Sequence, residues 1–219
     1  MRNLLVIILF MLVCSCSSQP IPQWKDTASR QLENYRVNFL ADKEDATEPH
    51  FAQAKKAISS NNDLNLLSTA YLTKYALHTA ALEDFADSDF LRIDKLQPNA
   101  GNRAYYDFLK GNFQKAQVSR LPDAYSKLLP LLADKNVAGA TREISEISDP
   151  LSRLIACGIL VKHLPYEENI LQLAINTAAQ QGWRRPMWAY LTHLQKYYSD
   201  RREISKAENI KERLELLKK

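Results

Sequence analysis

The sequence predicts an all-α protein, made of antiparallel helical hairpins that either stack as a short solenoid or close into an irregular bundle. Apolar residues recur at intervals of three and four along most of the chain, and strand-like alternation is almost absent. Glycine is scarce, 5 in 219 residues. Hydrophobic residues make up 46% and charged residues 25% of the chain, enough for a buried core, which sets aside disordered, collagen-like and Gly-rich barrel classes. The net charge of +4 is too mild to imply a nucleic-acid partner.

The first 23 residues read as an address and a tether. Met1 and Arg2 supply positive charge, Leu4 to Val13 is an unbroken apolar run, and Cys14-Ser15-Cys16-Ser17-Ser18 follows. That layout is an export signal. The run is about half of the roughly 20 residues a helix needs to span a bilayer, so it predicts removal rather than a permanent anchor. Val13-Cys14-Ser15-Cys16 resembles the lipobox of bacterial lipoproteins, with Val13 at the aliphatic position and Ser15 at the small one. Cutting before Cys14 would leave branched Val13 at the scissile bond, so Cys16 is the residue expected to carry the lipid. The competing reading is an ordinary secretory signal cut after Ser17 or Ser18.

The resemblance implies a signal peptide over 1–15, a lipidated tether over 16–23, a palmitate-type anchor and one helical domain over 24–219. Several acyl chains hold far more firmly than one, each buried CH2 contributing about 0.8 kcal/mol. Ser17 is not the aspartate that retains lipoproteins in the inner membrane of diderm bacteria, so the resemblance points to the outer membrane, facing the periplasm. Inner-membrane retention and surface exposure are the alternatives.

Helical elements follow in order. Trp24 to Ala41 carries Ala28, Leu32, Tyr35, Phe39 and Leu40 on one stripe. Glu48-Pro49 is expected to open the second helix, whose buried face is Phe51, Ala54, Ala57 and Ile58. Asn62 or Asp63 caps a third, with Leu66, Leu67, Ala70, Tyr71 and Tyr75 suggesting burial on more than one side. Asp84 to Leu96 reads as a shorter helix, and Pro98-Asn99-Ala100-Gly101 as a turn.

In the second half Pro122, Pro130, Pro150, Pro165 and Pro186 stand near helix starts or kinks. Ser148-Asp149-Pro150 is the clearest cap, and Leu151 to Leu164 is apolar around most of its circumference, which places it at the centre of the fold. Its Cys157-Gly158 pair lets another helix come close, and Cys157 reads as a packed core thiol. Tyr166 to Gln181, Pro186 to Tyr198 and Arg201 to Lys219 complete the array. Ile204, Ala207, Ile210, Leu214 and Leu217 give the last helix one apolar face, so it should cap the stack.

The segment Ala104-Tyr105-Tyr106-Asp107-Phe108-Leu109-Lys110-Gly111-Asn112-Phe113-Gln114-Lys115-Ala116 resembles the turn between the two helices of a tetratricopeptide unit. Asp107 departs from that pattern where an aromatic residue is usual. Ala178 to Trp183, followed by Ala189-Tyr190-Leu191, is similar but more degenerate. The resemblance implies a tetratricopeptide-like helical repeat that engages a protein or peptide.

Chemical motifs are sparse. The glycines at 101, 111, 139, 158 and 182 are never closer than ten residues apart, so no phosphate-cradling loop is present. The histidines at 50, 78, 163 and 193 lack metal-ligand spacing, and neither G-x-S-x-G nor H-E-x-x-H occurs. Glu83, Asp84, Asp87 and Asp89 do not match a calcium loop and read as a solvated acidic face. No catalytic, cofactor or metal residue is expected. The basic pairs Arg184-Arg185, Arg201-Arg202 and Lys218-Lys219 stand near aromatic residues, and Trp183, Arg184 and Arg185 are the candidate partner-binding residues.

The expected function is a lipid-anchored, non-enzymatic scaffold that binds a protein or peptide at the outer membrane, as in secretion, pilus or envelope assembly. The alternatives are a cell-wall hydrolase acting through a raised-pKa glutamate, or a structural lipoprotein that contacts peptidoglycan.

Overall fold

The computed structural model describes residues 21–218, so the signal segment and Cys16 lie outside the described residues. The described chain is all-α, with eleven α-helices, two short 3-10 turns and no strand among those residues. None of these helices is long and apolar enough to cross a membrane. They are α1 (Gln23–Leu40), α2 (Glu44–Ser59), α3 (Leu64–Ala80), α4 (Ser88–Leu96), α5 (Ala100–Leu109), α6 (Leu128–Ala133), α7 (Val137–Glu146), α8 (Pro150–His163), α9 (Glu168–Gln180), α10 (Arg184–Asp200) and α11 (Ile204–Leu217).

Two helices form the axis of the molecule, as their apolar circumference requires. In α8 every residue from Leu154 to Val161 is buried. In α3 Ala70, Tyr71, Leu72, Tyr75, Ala76, Leu77 and Ala80 are buried. They pack on one another, α3 also meeting α1, α2, α4 and α5, and α8 meeting α7 and α9. A Cβ built on Gly158 would lie 2.0 Å from the Thr79 carbonyl oxygen, so the crossing is closed to any side chain at that position.

The core of the first half is a run of aromatic rings. Tyr35 meets Phe51 with centroids 5.3 Å apart, Phe51 meets Tyr71 at 5.4 Å, and Phe85 stacks on Tyr75 at 4.4 Å. Phe90 then stacks on Tyr106 at 4.6 Å. Such contacts add to the stabilisation from burying apolar area, about 0.5–1.5 kcal/mol per pair.

Most helix ends turn through a left-handed residue closed by a 6→1 backbone bond. The bonds run from Lys43 N to Asn38 O, Glu83 N to His78 O, Asn112 N to Asp107 O, Asn136 N to Leu131 O, Trp183 N to Ala178 O, and Glu203 N to Tyr198 O. Only Gly111 and Gly182 are glycines at the left-handed position; Asp42, Leu82, Lys135 and Arg202 hold it in the other four of these turns, and Asn62 holds it after α2. That is how a chain with so few glycines makes tight hairpins. Asp63, Asn99, Asn136 and Asp149 cap the helices that follow, each accepting a backbone N–H at 2.7–3.0 Å.

Several boundaries differ from the sequence expectation for identifiable reasons. Helix α2 begins at Glu44, four residues before Glu48, and carries Pro49 inside it. Pro49 has no N–H for the Asp45 carbonyl, but it sits early in the helix on an exposed turn, and Glu44 and Asp45 favour the helix start. Helix α4 begins at Ser88 rather than Asp84, because Asp84 pairs with Lys162, Asp87 with Lys110, and Phe85 stacks on Tyr75. Gly101 is not in a turn but in the first turn of α5, and Asn99 is its cap.

At Gly111 the chain makes the expected turn, with a left-handed φ of +75°, but no second long helix follows. Two 3-10 turns, Val118–Arg120 and Asp123–Tyr125, lead instead to the short α6. Helix α11 packs on α10 through Ala207, Ile210 and Leu214, and the outer members of its stripe, Ile204 and Leu217, stay exposed.

Candidate functional site

Arg185 is drawn into the body of the protein. Near the start of α10 its guanidinium lies 2.8 Å from Glu83, 2.9 Å from Glu44 and 3.7 Å from Asp42, over the Phe39 ring at 4.3 Å. Its side chain is only 17% exposed. Glu83 is also 2.8 Å from His78 Nδ1, whose ring packs on Phe39. Burial works to raise the Glu83 carboxyl, but the hydrogen bond with His78 and the Arg185 charge outweigh it and hold the group below its ordinary range.

The neighbouring Arg184 is directed elsewhere, since successive helical residues point about 100° apart. It is exposed, its guanidinium sits 5.9 Å from the Trp188 ring centroid, and it donates to the Leu217 carbonyl at 3.4 Å. Trp183, which precedes α10, is half-buried and packs against the core. Trp183, Arg184, Trp188 and the exposed end of α11 at Leu216 and Leu217 therefore share a corner. Of the three residues singled out in the sequence, Arg185 belongs to the internal ion cluster, Trp183 is half-buried against the core, and Arg184 alone is exposed. Asp42 and Glu44 carried no sequence signal as its partners, being more than 140 residues away along the chain.

The acidic run Glu83 to Asp89 is not a shared cation site. Each carboxylate has its own partner. Asp84 meets Lys162 at 2.9 Å, Asp87 meets Lys110 at 3.0 Å and accepts from the Tyr106 hydroxyl at 2.8 Å, and Asp89 accepts from Tyr71 at 3.0 Å. The hydrogen bond from Lys162 lowers Asp84; at Asp87 burial acts upward and the Lys110 and Tyr106 bonds prevail. Among the described residues no group of three His, Cys, Asp or Glu could hold a metal ion.

Cys157, His163 and His193 are set into the packing of the fold. Cys157 is fully buried, and burial pushes its thiol up to about 12. His163 lies 3.1 Å from the Leu109 carbonyl and fills the space over Gly111, and burial lowers its proton affinity. His193 is lowered in the same way. No protein-family model matches the chain, and neither a curated protein nor a solved structure is similar to it.

Proposed function

We propose that this chain is a lipid-anchored helical scaffold, held by Cys16 at the periplasmic face of the outer membrane, that binds a protein or peptide partner without catalysing a reaction. In this reading its hairpins work as a degenerate tetratricopeptide-like array. The observation that carries it is the corner formed by Trp183, Arg184, Trp188 and Leu217. It combines an exposed guanidinium over an indole with the apolar end of α11, where Leu216 is 75% exposed. Arginine and tryptophan are the residue types that dominate binding hot spots, because each buries much surface and keeps a polar handle.

The carboxylates favour this reading over a wall hydrolase. A catalytic acid of that class needs a glutamate raised towards neutrality. The perturbed carboxyls of the described chain, Glu33, Glu83, Asp84 and Asp87, all move down.

A photo-crosslinking amino acid at position 184, in cells, tests the reading. A discrete protein adduct is expected from 184 and not from Arg142, an exposed position on α7. No adduct from 184, or release of fragments from purified peptidoglycan by the protein, overturns it.

A further inference from the structure

The α1–α2 hairpin has two chemically different ends. At the far end, where α1 gives way to α2, Asp42, Glu44, Asp45 and Glu48 gather and Arg185 docks. At the near end, α1 starts beside the finish of α2, and the charged side chains are mainly basic. Lys25 and Lys56 are exposed there, whereas Asp26 pairs with Arg30 and Asp63 caps α3.

Between these helix ends lies an open cleft of about 410 Å³, walled by Trp24, Thr27, Ala57 and Lys56. Trp24 is half-buried yet lies outside the core cluster of the described residues. Ile21, just before it, is 70% exposed. An indole that is neither in the core nor in water, next to an exposed aliphatic residue and free lysines, has the composition of a membrane-interface anchor.

With a lipid on Cys16, chain length would keep this end close to the bilayer. Ile21 is five residues from Cys16, a reach of no more than about 18 Å when extended. The far end is one helix length away, roughly 27 Å for the 18 residues of α1.

We propose that the near end of the hairpin lies on the phospholipid surface that holds the Cys16 lipid, with Trp24 at the interface and Lys25 and Lys56 against anionic headgroups. This rests on the lipid-anchor reading. It adds a fixed orientation, with the acidic end and the Trp183–Arg184 corner pointing away from the membrane.

The test uses the acylated full-length protein in vesicles of phosphatidylethanolamine and phosphatidylglycerol containing lipids brominated near the headgroup. With Trp183→Phe and Trp188→Phe leaving Trp24 as the only indole, emission should fall relative to unbrominated vesicles, as for a tryptophan at headgroup level. Lys25→Glu with Lys56→Glu should remove most of that quenching. If the double Phe variant does not fold, quenching of the wild type that disappears in Trp24→Phe gives the same answer. Acylated protein that floats with the vesicles while Trp24 stays unquenched overturns the orientation and leaves the anchor intact. Protein without acyl mass at Cys16 that fails to float overturns both.

Discussion

Arg185 Nε lies 2.8 Å from Glu83 Oε1, tying the first turn of α10 to the loop after α3 across 102 positions of sequence. Asp42 approaches the same Nε at 3.7 Å and Glu44 meets the terminal nitrogen, so the guanidinium brings the C-terminal hairpins back against α1. The array is thereby closed at this edge. Arg185→Ala strands a half-buried carboxylate and removes the cation over Phe39, so we expect a loss of about 2 kcal/mol, between the cost of exposed and fully buried pairs. Arg185→Lys, which keeps the charge but loses the fork, should recover part of it. Urea denaturation measures both; an unchanged midpoint in Arg185→Ala contradicts the role.

Acid should weaken the fold in two stages with the same sign. His163 and His193 bind protons less readily folded than at the ordinary value of 6.5, so the unfolded chain takes up protons first as pH falls below that value and stability drops. Glu83, Asp84 and Asp87 are held below the ordinary carboxylate range. Their contribution is complete above the unfolded values of 4.5 and 3.8 and is lost as pH falls through the folded ones. Thermal unfolding from pH 8 to 3 should show a shallow decline beginning near 6.5 and a steeper one below about 4.5. His163→Gln should reduce the first, and a Tm that rises between pH 7 and 5 contradicts the assignment.

Three glycine-to-alanine variants separate crowding from backbone strain. At Gly158 the new methyl meets backbone at 2.0 Å, and we expect a loss of about 3 kcal/mol or more. At Gly182 φ is +68° but nothing lies within 4 Å, so the loss should be only about 1 kcal/mol. Gly111 combines φ of +75° with the His163 ring at 2.5 Å and should fall between them. Equal losses at 158 and 182, read from chemical denaturation, would remove the close crossing of α3 and α8.

Cys157 should be silent to thiol reagents in the folded protein, since it is fully buried and its thiol is pushed up to about 12. Labelling at pH 8 should therefore follow opening of the α3–α8 core, and its rate should rise with denaturant. Rapid labelling of native protein contradicts that burial.

Much of the helical architecture was legible because it depends on local pattern. The stripe of α1, the all-round apolar surface of α8, the Asp63 and Asp149 caps and the small residue at 158 are signals within a few turns of chain. What escaped depends on distant partners. Asp84 and Phe85 look helical until Lys162 and Tyr75 are placed beside them, and Arg185 looks like a surface cation until Glu83, Glu44 and Asp42 surround it. Glycine scarcity did not limit the turns as composition suggests, because Asp42, Leu82, Lys135 and Arg202 adopt left-handed geometry themselves. At the candidate corner, Trp183 and Arg184 stood out in the sequence as an aromatic and basic pair, although Trp183 is half-buried. The contribution of Leu217 required knowing that α11 ends there.

Attachment of this helical body to a membrane through Cys16 is read from the intact mass of the protein isolated from bacterial membranes. The expected species is a chain beginning at Cys16 and carrying the mass of a diacylglyceryl group and an amide-linked acyl chain, with Cys16→Ser leaving the unprocessed precursor. A mature chain beginning after Ser17 or Ser18, without lipid and recovered in the soluble fraction, would contradict it.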